Sequence, residues 1–460
     1  MATGTARVSD RVVGRLVDAL GPTRVLTDPA VTAGHGRDWT GRFVGTADVV
    51  VAPATTEEVS ATVAVCAETG TPVVPQGGNT GLVGGAVPDS GCVVVDLRRL
   101  DTVAVDPLAR LATAGAGVTI QALHAAAGTA GLRYGVDLAS RASATVGGTI
   151  ATNAGGLRVV RHGDTRAQLI GVEAVLADGT VVSHLTGLTR DNTGYHLPSL
   201  LCGSEGTLAL VTAAQVRLLP PRPNRSVALL AFETTAAAAA AASLLPSAPF
   251  VEAVELMRSP GVDLVCRVTG LPRPMREQHP VYLLVEAAAP DGVDDGLAEA
   301  VAGVAGVTDV AVGTDAASMA RLWAYRERHT ESIATLGPAH KLDVTLPASA
   351  LAAFVDEVPA RVAAAYPRAR VWLFGHAADG AVHVNLTDVD PADLGVDELV
   401  LTMVAEAGGS ISTEHGIGRS KRPWLHLSRS PAELRVFARL KAAFDPQGLL
   451  NPMLAPPVPA

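Results

Sequence analysis

The sequence predicts an α+β protein built from more than one domain, and three observations carry this. The 460-residue chain is too long for one ordinary hydrophobic core. Its N-terminal part alternates short β-branched runs with helical patterns, opening on a β-α-β series over 49–75. A cluster of Pro220, Pro221 and Pro223 then interrupts the pattern, and a second alternating series follows it. Hydrophobic residues make up 48% of the chain and charged residues 18%, so it has enough apolar surface to fold. Aromatics are only 3%, which leaves alanine and valine to fill the core.

Taken in order, apolar spacing over residues 8–20 predicts a helix. Val49–Val51 reads as a strand ended by Pro53. Thr55, Thr56, Glu57 and Glu58 then start a helix, since a hydroxyl cap followed by acids suits the helix dipole. Gly70 closes it. Pro72–Pro75 is a second strand, and the stretch PQGGNTGLVGG follows at 75–85. Val93–Asp96, Val103–Asp106 and Leu111–Ala114 are further strands. Residues 119–130 form a helix closed by Gly131. A second glycine-rich stretch, VGGTIATNAGGLR, occupies 146–158 and reads as a second loop over 147–156. Ile170–Leu176 and Thr180–Ser183 flank Asp178-Gly179, a hairpin signal, and Leu208–Leu218 is another strand. Beyond the prolines, helices are predicted at 234–245, 294–303 and 348–365. The alanine run at 236–242 belongs to the first of these, because alanine is a strong helix former. There is no internal repeat. The domain limits expected are 1–220, 221–408 and 409–460.

Net charge is −9 and no basic run occurs, which argues against nucleic-acid binding. No apolar span of membrane-crossing length is present, so no transmembrane segment is expected. The N-terminus lacks a signal peptide's apolar core, and a cytoplasmic location is expected. Cys66, Cys92, Cys202 and Cys266 have no metal-type spacing and read as free, buried thiols.

Five of the eleven residues in 75–85 are glycine. Successive backbone N–H groups in such a loop can converge on an anion that side chains would block. The loop lacks the GK[ST] of a P-loop. Gly115-Ala116-Gly117 lacks the third glycine of a dinucleotide fingerprint and reads as a strand-to-helix turn. Two glycine-rich stretches suit a long diphosphate-bearing cofactor better than a single phosphate.

In the second half, His376 and His383 bracket an Asp379-Gly380 turn. A hairpin closed there brings both imidazoles to one end. Glu414-His415 follows in GGSISTEHGIG. Two histidines and a glutamate form a known catalytic zinc set. One of Glu414 and His415 can bind a metal while the other stays free. His383 and Asn385 share a strand face. Arg326 and Thr330 are four apart, hence on one helix face, although Glu327, Arg328 and Glu331 suit an ordinary solvated face equally well.

PQGGNTGLVGGAVP, VGGTIATNAGGLR, DNTGY (191–195) and CGSEGTLALVT (202–212) resemble the FAD-binding domain of vanillyl-alcohol oxidase type flavoproteins. GHAADGAVHVNL, GGSISTEHGIGRSKR and FDPQGLLNP resemble the D-2-hydroxy-acid dehydrogenases of that superfamily, most strongly those acting on D-2-hydroxyglutarate. The resemblance spans Asp38 to Pro452. It implies a two-subdomain FAD-binding domain and an α+β substrate (cap) domain with an antiparallel sheet. The C-terminal segment would pack back on the FAD domain and complete the active site.

By the same resemblance, Pro75, Gly77, Gly78, Asn79, Thr80 and Gly81 wrap the FAD diphosphate, with Gly84 and Gly85 shaping the loop. Asp137, Ser143, Gly147, Gly148, Asn153 and Gly156 line the rest of the cofactor. Asn79 stands where tethered relatives have histidine, so FAD is expected to be non-covalent. His376, His383 and Glu414 become ligands of a divalent metal, zinc above all, and His415 the general base. The family's turn reads HxGDGNxH. Here Ala378 and Ala381 depart from it, and an alanine at positive φ would cost about 1 kcal/mol. Arg326, Thr330, Lys341 and Asn385 hold substrate, and Lys341 favours a second carboxylate.

The implied reaction is oxidation of a D-2-hydroxy acid, D-2-hydroxyglutarate first, to the 2-oxo acid by hydride transfer to flavin N5. The acceptor stays open among electron-transfer flavoprotein, a quinone and a cytochrome. D-lactate or glycolate oxidation on the same scaffold is one alternative. A catalytically idle flavoprotein subunit of an electron-transfer complex is the other.

Overall fold

A computed structural model describes residues 7–457. The chain divides into two compact units. The first comprises the chain up to Gly156, Gly163–Pro220 and the chain from Glu414 onward; the second comprises Leu157–His162 and Pro221–Thr413.

The first unit holds two sheets. Strands β1 (Val25–Leu26), β2 (Val49–Val51), β3 (Val73–Gln76) and β4 (Val93–Asp96) form one, in the order β1-β2-β4-β3. Its three longer strands are parallel, as a β-α-β opening requires. The crossover helix, Thr56–Thr69, starts where Thr55 Oγ1 accepts the Glu58 amide at 3.2 Å and ends at Gly70, φ +63°. Its Val59, Val63 and Cys66 are buried with Val49, Val73 and Val93 in the core of this half.

The second sheet is antiparallel. It contains β5 (Val103–Asp106), β6 (Leu111–Gly115), β7 (Arg133–Tyr134), β8 (Leu169–Val175), β9 (Val181–His184) and β10 (Leu210–Leu219), ordered β5-β6-β10-β8-β9 with β7 against β10. Asp178-Gly179 closes the β8–β9 hairpin, with Gly179 at φ +89°. The C-terminal helix Pro431–Phe444 begins on a reciprocal Ser430–Glu433 capping box. Its buried Lys441 donates to the carbonyls of Thr207 and Leu450, at 2.8 and 2.7 Å.

The second unit is one seven-stranded sheet made of β11 (Asn224–Phe232), β12 (Val251–Arg258), β13 (Val281–Ala289), β14 (Val307–Gly313), β15 (His340–Thr345), β16 (Arg370–His376) and β17 (Ala381–Thr387). The order is β14-β11-β13-β12-β16-β17-β15, every pair antiparallel. Helices run at Thr235–Leu244, Asp294–Ala302 and Ala348–Ala365. Ala238, Ala239, Ala241 and Ala242 of the first are buried. The segment Leu157–His162 also belongs here. Arg158 pairs with Glu286 at 2.9 Å, His162 with Glu252 at 3.1 Å, and Arg161 donates to the Val251 carbonyl at 2.8 Å.

The α+β class and the antiparallel second sheet are those the sequence implies. Two local expectations need correction. Residues 146–152 are helical rather than loop, because Thr145 Oγ1 accepts the Gly148 amide at 3.3 Å and Asn153, at φ +53°, terminates the turn. Arg326 and Thr330 do not share a helix. The helix Ala316–Glu327 stops before Arg328, and His329–Ala334 starts a separate one. Among the described residues no helix is long and apolar enough to cross a membrane.

Candidate active site

The glycine stretch 77–85 leaves the end of β3. Buried Gln76, just before it, donates to the carbonyl of Ala86, just past its far end, at 2.8 Å, and to that of His35 at 2.7 Å. Asn79 adopts φ +51° and donates through Nδ2 to the Arg37 carbonyl at 2.8 Å. Two glycines here are required by close approach. A Cβ on Gly77 would meet Thr145 Oγ1 at 2.3 Å, and one on Gly78 would meet the Ser143 carbonyl oxygen at 1.8 Å. On Gly81 a Cβ would meet nothing within 4 Å. The loop is thus locked on one side and open on the other. Pro75, Thr80, Gly84 and Gly85 lie in the same run, with Gly84 packed on Phe43.

The second glycine region packs onto the same ground. Gly147 lies against Ala116, where a Cβ would come within 2.7 Å of the alanine's own, so Gly115-Ala116-Gly117 serves as a packing surface and turn. Gly148 is held by Thr145. Gly156 lies against the Asp137 carbonyl, 2.1 Å from where its Cβ would be. The Asp137 carboxylate is buried and accepts from Arg141 at 2.9 and 3.1 Å. Asn153 spends its carboxamide on Asp164 and the Arg166 amide, at 2.7 and 2.9 Å.

Glu414 and His415 belong to this unit. Glu414 Oε2 accepts the Gly156 amide at 2.8 Å, so the Glu-His pair is anchored to the last glycine of that region. His415 Nε2 lies 3.8 Å from Glu414 Oε1. The following residues are held by Glu205, half-buried within the CGSEGT segment. Glu205 accepts the amides of Ile417 and Gly418 at 3.2 and 3.0 Å. Burial pushes its carboxyl up to about 7, with those two amides and Lys421 pulling the other way.

In the second unit, strand register places the remaining candidates. Glu255 pairs with His376, Phe374 with His383, Asp343 with His383, and Lys341 with Asn385. Directly paired side chains and those two apart share a face. All seven therefore stand on one side of β12, β16, β17 and β15. The His376 and His383 rings are 5.4 Å apart and nearly perpendicular, at 80°. The turn between them puts only Gly380 at positive φ, +78°, with Ala377–Asp379 in a 3-10 turn. Ala378 and Ala381 therefore carry no strain, contrary to expectation.

Each imidazole has a buried carboxylate behind it. His376 Nδ1 bonds Glu255 Oε1 at 2.6 Å, and His383 Nδ1 lies 3.3 Å from Asp343 Oδ1. Glu255 also accepts from Arg326 Nε at 2.6 Å. Burial alone would raise the Glu255 carboxyl, but Arg326 and His376 outweigh it and hold it at about 2. Arg326 is buried and stacks over Phe374, 4.7 Å from the ring centroid, so it is not part of a solvated face. Thr330 and Lys341 are half-buried, and burial lowers the Lys341 ammonium from its usual range. Asp343 accepts the Thr413 amide at 3.2 Å, and Glu414 is the next residue of the chain.

The sequence reading did not single out Glu255, Asp343 or Glu205. For Glu205 a signal existed in the recognisable CGSEGT segment. For the other two it lies only in the register of distant strands.

The chain's residues 47–184 match the family model described as FAD binding domain, and residues 222–454 match FAD linked oxidases, C-terminal domain. It is 36% identical over 461 residues to a D-2-hydroxyglutarate dehydrogenase of Xanthomonas citri pv. viticola, covering 97% of each chain. A mitochondrial Schizosaccharomyces pombe protein provisionally named as a D-lactate dehydrogenase is 33% identical, with 95% of this chain and 87% of that protein covered. Among solved structures, p-cresol methylhydroxylase with substrate bound superimposes with a TM-score of 0.78 over 98% of each chain at 16% identity, which shows the fold.

Proposed function

This chain belongs to the FAD-linked oxidases, and within them to the FAD-dependent D-2-hydroxy-acid dehydrogenases, and from that premise we propose that it oxidises D-2-hydroxyglutarate to the 2-oxo acid with the help of a divalent metal. The cradle fits a flavin. Gly77 and Gly78 are pressed onto residues 143–145 while the loop stays open at Gly81. The donor types, two imidazoles and a carboxylate, are those zinc takes, and the bond from His376 Nδ1 to Glu255 is the kind that orients a metal-binding ring. His376, His383 and Glu414 would hold the ion, and Gly77–Gly81 with residues 143–156 the non-covalent FAD.

When bound, FAD supplies a hydride acceptor at N5 and the cation supplies Lewis acidity. His415 accepts the proton of the substrate hydroxyl at a ring nitrogen. Arg326 is a cation fixed by Glu255 and Phe374. Lys341 stands in register with Asn385 and supplies a second cation. The single observation that carries the dicarboxylate reading is this pair of cations on a face that also bears both imidazoles. The acceptor in this reading is an electron-transfer flavoprotein or a quinone.

An anaerobic stopped-flow screen tests it. D-2-hydroxyglutarate is expected to bleach the flavin fast, D-lactate slowly, and a chelator to suppress both while FAD stays bound. Rapid bleaching by D-lactate with D-2-hydroxyglutarate inert would reverse the substrate assignment in favour of the D-lactate reading, which the S. pombe relative supports. Lys341→Met is expected to lower kcat/KM for D-2-hydroxyglutarate by about 10²-fold, the worth of a lost charge-assisted pair of about 2–3 kcal/mol. The D-lactate value should change little. Equal loss on both substrates would remove Lys341 from second-carboxylate binding.

A further inference from the structure

Glu205 occupies an unusual position for an acid. Its backbone is left-handed at φ +50°, between Gly203 and Gly206, both also at positive φ. Its amide donates to the Ala151 carbonyl at 2.8 Å, and its own carbonyl accepts from Asn451 Nδ2 at 2.8 Å. Asn451 also holds the Gly85 carbonyl at 3.0 Å. One residue thereby touches the helix 146–152, the end of the glycine loop through Asn451, and the stretch after His415.

That stretch is shaped around the carboxylate. Gly416 lies so close that a Cβ would fall 2.4 Å from Glu205 Oε1, and Gly416 takes φ +80°. Oε2 accepts the Ile417 amide and Oε1 the Gly418 amide. Gly418 in turn presses on Val83 of the glycine loop, whose carbonyl takes the Arg419 amide at 2.9 Å. A mere space filler would need no charge here, since desolvating a carboxylate is costly. What a carboxylate offers is two acceptor oxygens in a fixed fork, which receive two amides together. A glutamine has one acceptor oxygen, and its NH2 would face the second amide donor to donor.

We propose that Glu205 is a positioning residue: its carboxylate, by gripping the Ile417 and Gly418 amides, fixes the loop that carries Glu414 and His415 against the cofactor cradle. The proposal rests on the reading of His415 as the base given above. A displacement of the loop by about 1 Å would cost on the order of 10² in rate, because a proton acceptor must meet its donor within hydrogen-bond reach.

The test uses the full-length, FAD-loaded Glu205→Gln enzyme. FAD content should match the parent. Flavin reduction by D-2-hydroxyglutarate should slow by about 10²-fold with KM changed less than about threefold. Hydrogen exchange should quicken in the peptide 414–421 and not in the helix 431–444. The double variant Glu205→Gln/His415→Asn should be no slower than His415→Asn alone, the signature of two residues acting as one unit. Should the Gln variant fail to yield folded holoprotein, Glu205→Asp, with both oxygens set back one methylene, undergoes the same measurements against the same criteria. Unchanged exchange in 414–421, parental reduction rates, or losses that multiply in the double variant would each overturn the proposal. A His415→Asn enzyme that reduces its flavin at the parental rate would sink the base assignment alone, and the exchange data then decide whether Glu205 holds the loop.

Discussion

His415→Asn is expected to yield a yellow, FAD-loaded protein whose flavin is reduced by D-2-hydroxy acid about 10²–10⁴-fold more slowly than in the parent, the usual worth of a general base. Asparagine keeps roughly the shape of the imidazole and can still accept a hydrogen bond, but it takes no proton near neutral pH. The glycine loop is anchored by Gln76 and by its contacts with residues 143–145, none of which involves His415. FAD content should therefore be preserved. Glu414 keeps its bond to the Gly156 amide, so the variant separates loss of the base from loss of the loop. Single-turnover absorbance with FAD quantified in the same sample is the measurement, and an unchanged rate would remove His415 from its role.

Glu255→Ala is expected to be the most damaging substitution to the second unit. The carboxylate is completely buried and shared by Arg326 and His376, each at 2.6 Å. Removing it strands a guanidinium in the core, which typically costs about 3–5 kcal/mol. It also releases the His376 ring, since its Nδ1 partner is gone. The thermal midpoint should fall by roughly 10 °C, and at the metal site proposed above the affinity for zinc should drop by about 10–100-fold. Glu357→Ala, on the exposed side of the helix Ala348–Ala365, is the control and should shift stability by no more than about 0.5 kcal/mol. If Glu255→Ala matches that control, the carboxylate is not what holds Arg326 and His376.

What could be read from the sequence was whatever is decided locally. Thr55, Gly70 and the Asp178-Gly179 turn act over a few residues, so their elements fall close to where the pattern puts them. The approach of His376 to His383 was legible for the same reason, because the short turn between two strands brings both rings to one end. The helix at 146–152 was hidden by its glycines, which suggest loop, while Thr145 supplies the cap that lets them coil. The break at Arg328 has no glycine or proline to announce it. Glu255 reaches His376 only because β12 pairs with β16, 121 residues on. No periodicity within either strand encodes that neighbour. Glu205 shows the same limit, since the amides it grips lie more than two hundred residues downstream.

The six-residue excursion Leu157–His162 has a consequence for how such an enzyme can be taken apart. The polypeptide passes between units after Gly156, again after His162, again after Pro220 and finally after Thr413. No single cut yields either unit whole. A fragment ending at Pro220 would lack the tail that bears Lys441, and a fragment beginning at Pro221 would lack Arg158, which pairs with Glu252 and Glu286, and His162, which pairs with Glu252. The second unit is accordingly not a cassette that a single-junction gene fusion could exchange.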